Sequence, residues 1–233
     1  MGNRREFRHC TRPRRRARHS YCVRCFVRSD HADRLTQAVT IPNRRAVAIA
    51  GHTGDTVTAA AGLAGDAAVR ATALGALERL GKLSDEQITT ALNDDDVRVR
   101  RRAAEIAAAH PAVDLVSTLS DTEPNVVETA AWACGEHESN RPEIVRRLIE
   151  LSTEAAEPLV REAAVAALGA IGDPAAVDVI IAATSDKPAV RRRAVLALAP
   201  FEGDHVDAAI DRALKDRDWQ VRQAAEDLGR AQL

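Results

Sequence analysis

A metal could be held by Cys10, Cys22, Cys25 and His31. Cys22 and Cys25 form a C-x2-C half-site, the spacing at which two thiolates grip one tetrahedral zinc. The full pattern, C-x11-C-x2-C-x5-H, fits no common knuckle, so no metal is expected. Cys134 falls at a core-facing position, where a free cysteine acts as a small buried hydrophobe. His137-Glu138 is the one His-Glu pair of the chain. No Gly-rich phosphate loop, G-x-S-x-G or H-E-x-x-H is present. No catalytic residue and no cofactor is therefore expected.

The charge is split. Residues 1–34 hold 11 arginines against Glu6, Asp30 and Asp33, a net of +8, whereas the remaining 199 residues carry a net of −9. Residues 1–38 show no helical or strand period, and charge of this density opposes packing. Three readings compete for this head: a flexible tail attracting phosphates or a membrane surface, the zinc knuckle, or a stretch translated from upstream of a true start at Val39. In each case the functional domain is residues 39–233.

Something must position any site in that body, and its composition is helical. The chain has 46 alanines and 30 arginines, 3% aromatics, and too few β-branched residues for a sandwich or barrel. Its apolar runs, such as residues 177–181, fall far short of the ~20 residues of a bilayer span, so a cytoplasmic location is expected.

The body is a tandem repeat. Aligned on valine, it reads VRATALGAL (69–77), VRRRAAEIA (99–107), VVETAAWAC (126–134), VREAAVAAL (160–168), VRRRAVLAL (190–198) and VRQAAEDLG (221–229). The fifth position is alanine in all six, and arginine follows the valine in all but Val127. Positions one, five and nine make one helical stripe, defining a helix B. An amphipathic helix A is predicted before five of them, at 85–94, 111–121, 142–151, 174–186 and 204–216. Ser84 with Gln87, and Asp173 before Pro174, predict N-caps. Gly81, Pro111, Gly172 and Pro200 mark the ends of B helices. An incomplete pair at 41–51 opens the array. A single pair cannot bury its own stripe, so neighbours must stack.

The segment VREAAVAALGAIGDPAAV (160–177) resembles the HEAT-like repeats, most closely the short bacterial type named after phycobilisome lyases. The resemblance covers residues 41–233 and implies an all-α fold, a right-handed, armadillo-like α-solenoid of about six helix pairs. It also implies an acid–arginine ladder between turns, built from acids such as Asp94, Asp121 and Asp216 with Arg70, Arg100, Arg161, Arg191 and Arg222.

In such solenoids the B helices line the concave surface, where positions three, four and seven should face. Those positions include Arg101, Arg102, Glu128, Trp132, Glu162, Arg192 and Arg193, the predicted partner-binding residues. An indole at an otherwise polar position suits a binding hot spot. Trp219 is read as a staple of the last loop-to-helix corner, and His110 and His137 as helix-end residues.

Three functions follow from the resemblance. The one favoured is a non-catalytic scaffold binding a protein segment on its concave face, with no small-molecule substrate. An enzyme of bilin-lyase or oxidoreductase type is the alternative, but the related di-iron hydroxylases carry His-Glu pairs at positions three and four, where this chain has no histidine. Nucleic-acid binding, as in related glycosylases, is opposed by the body's net −9 and by Glu105, Glu128 and Glu162.

Overall fold

Every valine-anchored segment forms a helix, and the alanine at its fifth position explains how the helices stack. The structure, a computed structural model, describes residues 41–138 and 141–231. Cys10, Cys22, Cys25, His31 and the boundary at Val39 lie outside the described residues. Among those described, the chain forms twelve α-helices: α1 (Arg44–Thr53), α2 (Thr56–Ala61), α3 (Ala67–Arg79), α4 (Asp85–Leu92), α5 (Val97–Ala107), α6 (Pro124–Glu136), α7 (Pro142–Glu154), α8 (Pro158–Ile171), α9 (Val177–Ala183), α10 (Pro188–Ala197), α11 (Asp204–Ala213) and α12 (Trp219–Ala231). One layer is the row α1, α3, α5, α6, α8, α10, α12, each packed against the next. The second layer holds the A arms α2, α4, α7, α9 and α11, each against its own B helix.

The fifth-position alanines Ala73, Ala103, Ala130, Ala164 and Ala194 are 0% exposed and Ala225 is 1% exposed. A larger side chain there would force the layers apart in an interior already at crystal-like density. Small residues also set the spacing within the B row. A Cβ on Gly169 would stand 2.6 Å from the Ala197 Cα, and one on Gly135 would stand 3.0 Å from the Ala167 Cα. Large apolar side chains then fill between layers, with Leu74, Ile88, Leu115, Leu119, Leu148, Leu168, Ile180 and Leu198 fully buried.

Local signals hold where they were read. Ser84 and Gln87 form a reciprocal capping box, and Asp173 caps Ala175 ahead of α9. Gly172 closes α8 in the left-handed region at φ 70°. Helix α1 opens the B row with no A arm before it among the described residues, as the incomplete opening pair predicts.

One predicted helix is absent. Residues 111–121 form turns and a single 3-10 turn, Thr118–Ser120. The Asp114 carboxylate accepts from the Val116 amide, an Asx turn that diverts the backbone from a helix. The apolar stripe survives the change, because Val113, Leu115 and Leu119 remain buried.

The ladder is present as fork-to-fork pairs. Arg70 grips Asp94 at 2.7 and 2.8 Å, Arg100 grips Asp121 at 2.7 and 3.0 Å, Arg161 grips Asp186 at 2.6 and 2.8 Å, and Arg191 grips Asp216 at 2.8 and 2.9 Å. The remaining guanidinium nitrogen donates to loop carbonyls just before its own helix, as from Arg161 to the Ala155 and Ala156 oxygens. These guanidinium bonds hold Asp94, Asp121, Asp186 and Asp216 below the usual carboxylate range. Val127 breaks the ladder, and Ala155 stands where its acid would come. Both partners of that rung are thus apolar, which avoids leaving one buried charge unpaired.

Candidate functional site

Positions three, four and seven of the B helices do not face the second layer, and between them two grooves open. The first, of about 620 Å³, runs across α1, α3 and α5. Arg101 and Arg102 line it together with Arg44, His52, Thr72, Gly75, Arg79, Arg98 and Glu105. The second, of about 520 Å³, lies between α6 and α8 and is lined by Glu128, Trp132, Glu136, Leu159, Glu162, Ala163, Ala166 and Arg193.

Helix geometry explains each placement. Residues three, four and seven share one side of a 3.6-residue turn, about 150° away from the buried one-five-nine stripe. In the first groove the Arg44 Nε donates to the Thr72 hydroxyl at 3.2 Å, and Arg102 pairs with Glu105 at 2.9 Å. The Arg102 guanidinium lies directly over Gly75 of the preceding helix, in space a methyl group would fill. Gly51 faces the Ala76 Cα and Cβ at 2.8 Å from where its own Cβ would stand, with the Arg79 Nη1 beside them at 2.9 Å. Arg98 is gripped by Asp96 at 2.8 and 2.9 Å.

In the second groove Trp132 is 43% exposed and Leu159 is 52% exposed. Glu162 faces Arg193 at 3.7 Å, beyond hydrogen-bonding distance. The Arg193 Nε is buried and has no hydrogen-bond acceptor among the described residues. Such orphan donors are rare in native interiors.

The predicted site residues therefore separate into two groups. Arg101 and Arg102 belong to the first groove, and Glu128, Trp132, Glu162 and Arg193 meet in the second. Arg192 is half-buried and lines neither. Leu159 was not singled out from sequence, although a signal existed. It precedes the helix-B valine, where the other repeats carry Ala68, Arg98, Asn125, Ala189 and Gln220. Arg44 and Arg79 fall outside the three chosen positions and enter the groove only through helix packing.

The remaining singled-out residues are structural or idle. Cys134 is fully buried, and burial pushes its thiol up to about 12, so it is no nucleophile at neutral pH. His137 donates from Nε2 to the Ala107 carbonyl at 2.7 Å, tying α6 to α5. His110 sits between Glu78 at 3.0 Å and Asp85 at 2.7 Å, joining three elements. Trp219 is 64% exposed at the start of α12, so it does not staple its corner.

Two stacked layers of helices, an open row of B helices and grooves lined by mixed charge define an α-solenoid. A family model for HEAT repeats matches residues 112–199 and 145–228, overlapping stretches that span half of the chain. The chain belongs to the HEAT-repeat family. An X-ray structure of YibA from Escherichia coli has a similar fold, with a TM-score of 0.60 at 21% identity, over 78% of this chain and 70% of that one. A designed armadillo repeat protein in complex with the peptide (KR)4 is also similar, with a TM-score of 0.53 at 18% identity, over 72% of this chain and 95% of that one. No curated protein matches the chain in sequence. Among the described residues no helix is long and apolar enough to cross a membrane.

Proposed function

We propose that this protein is a non-catalytic, cytoplasmic scaffold of the phycobilisome-lyase-type HEAT-like branch that binds a protein segment along its B-helix face. The observation carrying this reading is the second groove, where Trp132 and Leu159 stand exposed beside carboxylates of Glu128, Glu136 and Glu162. A large aromatic and an aliphatic side chain inside a concave, charged rim make the usual anatomy of a polypeptide hot spot. The groove's own groups are carboxylates, an arginine and apolar side chains, with no nucleophile set beside a base. The designed armadillo protein of similar fold binds a peptide, which supports the same use of this surface.

The test is a peptide array probed with the intact chain and with Trp132→Ala. Since Trp132 is already half-exposed, its loss should leave the melting temperature unchanged. Affinity for the captured peptides should fall by about 2 kcal/mol, near thirtyfold. Equal binding by both proteins would remove the second groove as the site.

A further inference from the structure

The first groove has a property that the ladder makes conspicuous. Arg70, Arg100, Arg161 and Arg191 each spend the guanidinium fork on an aspartate. Arg44 on α1, Arg79 on α3 and Arg101 on α5 are exposed, line one groove and have no carboxylate partner among the described residues. In a body of net charge −9, three uncompensated arginines on three consecutive B helices form a local positive site against the average. Two glycines leave room that neighbouring guanidinium groups occupy. A Cβ on Gly51 would stand 2.9 Å from the Arg79 Nη1, and one on Gly75 would collide with Arg102.

Guanidinium forks match carboxylates and phosphates equally well. Continuity along the B row decides between them. A nucleic acid carries a phosphate at every step, and one lying on α1, α3 and α5 would run on to Glu128, Glu136 and Glu162. A polypeptide can change sign over that distance. Neighbouring helices pack about 8–10 Å apart, so two and a half spacings from α3 to the middle of α6 and α8 cover ~20–25 Å. An extended chain at ~3.3 Å per residue crosses this in about six to eight residues.

Resting on the function proposed above, we infer that the first groove binds an acidic stretch of the bound segment, about six to eight residues from the basic and apolar stretch that docks at Trp132. The carboxylates pair with Arg44, Arg79 and Arg101, while basic residues meet Glu128 and Glu162.

Fluorescence anisotropy on the intact chain tests this with labelled synthetic peptides. The probes are a block of four glutamates, an Arg-Leu-Arg-Leu block, and the two joined by Gly-Ser linkers of zero, seven and sixteen residues. A single-stranded oligonucleotide and inorganic phosphate serve as competitors. The seven-residue linker should bind at least about tenfold tighter than the basic block alone, because joining two weak sites raises effective concentration. The double variant Arg44→Glu with Arg101→Glu, both at exposed positions, should erase that gain and leave the basic block's affinity unchanged. The inference is overturned if the glutamate block adds nothing at any linker length. It is equally overturned if the oligonucleotide or phosphate displaces the joined peptide better than the glutamate block does. A basic block that binds and responds to Trp132→Ala, with no gain from glutamates, keeps the function and sinks only this inference. A joined peptide that responds to the arginine variant while the basic block fails to bind does the reverse.

Discussion

Two glycines on the B row should respond in opposite directions to the same methyl group, because different neighbours occupy the space. At Gly75, in the middle of α3, the nearest atoms to the Cβ of an alanine all belong to the Arg102 side chain. Alanine gains about 0.8–1 kcal/mol of helix propensity over glycine. Moving Arg102 gives up its pairing with Glu105, an ion pair with side chains 35% and 51% exposed. A solvent-screened pair at that spacing stabilises by about 0.2–0.5 kcal/mol. Gly75→Ala should therefore stabilise by about 0.5 kcal/mol, or roughly 1–2 °C in Tm for a domain of this size. At Gly169 the methyl would stand 2.6 Å from both Cα and Cβ of Ala197 and 2.9 Å from its carbonyl oxygen. Backbone of a packed helix cannot swing aside, and such overpacking costs about 1–3 kcal/mol, which matches or exceeds the propensity gain. Gly169→Ala should destabilise by about 1 kcal/mol. Urea unfolding of both variants with calorimetric Tm measures the difference. A loss above about 1 kcal/mol at Gly75 would mean that helix spacing, and not a seated arginine, requires that glycine.

Other consequences can be checked on the same preparation. Asp121→Ala strands Arg100, whose side chain is 15% exposed, and should cost about 3 kcal/mol by urea unfolding. Because arginine bonds depress the ladder aspartates, their stabilisation is complete above the ordinary aspartate value of 3.8 and is lost as pH falls through the depressed values. Tm should thus drop steeply below pH 3.8, and less steeply in Asp121→Asn. For His110, burial lowers the imidazole pKa, but the bonds to Glu78 and Asp85 outweigh it, so the net shift is upward. Its stabilisation is full below the ordinary value of 6.5 and fades as pH rises through the raised one, so Tm should decline above neutrality in wild type and stay level in His110→Gln. Residues 39–233 alone should match the full chain in circular dichroism and Tm, and a large loss of helix would show that the head packs on the body.

The fold was legible because one helical period, repeated six times, left a single buried stripe, whereas the ladder was implied by the resemblance to HEAT-like repeats, its arginine standing one residue after that stripe. The broken rung shows where legibility stops. Val127 stands out in the alignment, but its partner Ala155 is recognisable only once α6 and α8 are side by side. The grooves follow the same logic. Helical position told which residues leave the core, so Arg101, Trp132 and Glu162 were within reach of sequence. Which of them meet depends on the approach of neighbouring helices, and that is set by Gly51, Gly135 and Gly169 against backbone one repeat away. Arg79 enters its groove because Gly51 leaves room, a relation between positions 28 residues apart with no local signature. The α6–α8 contact combines these lessons. It lacks a polar rung, brings Gly135 against Ala167, and carries the Trp132 groove on its open side. Among the described residues no ion pair or side-chain hydrogen bond joins these two helices, and Glu128 and Glu162, at position three, line the groove.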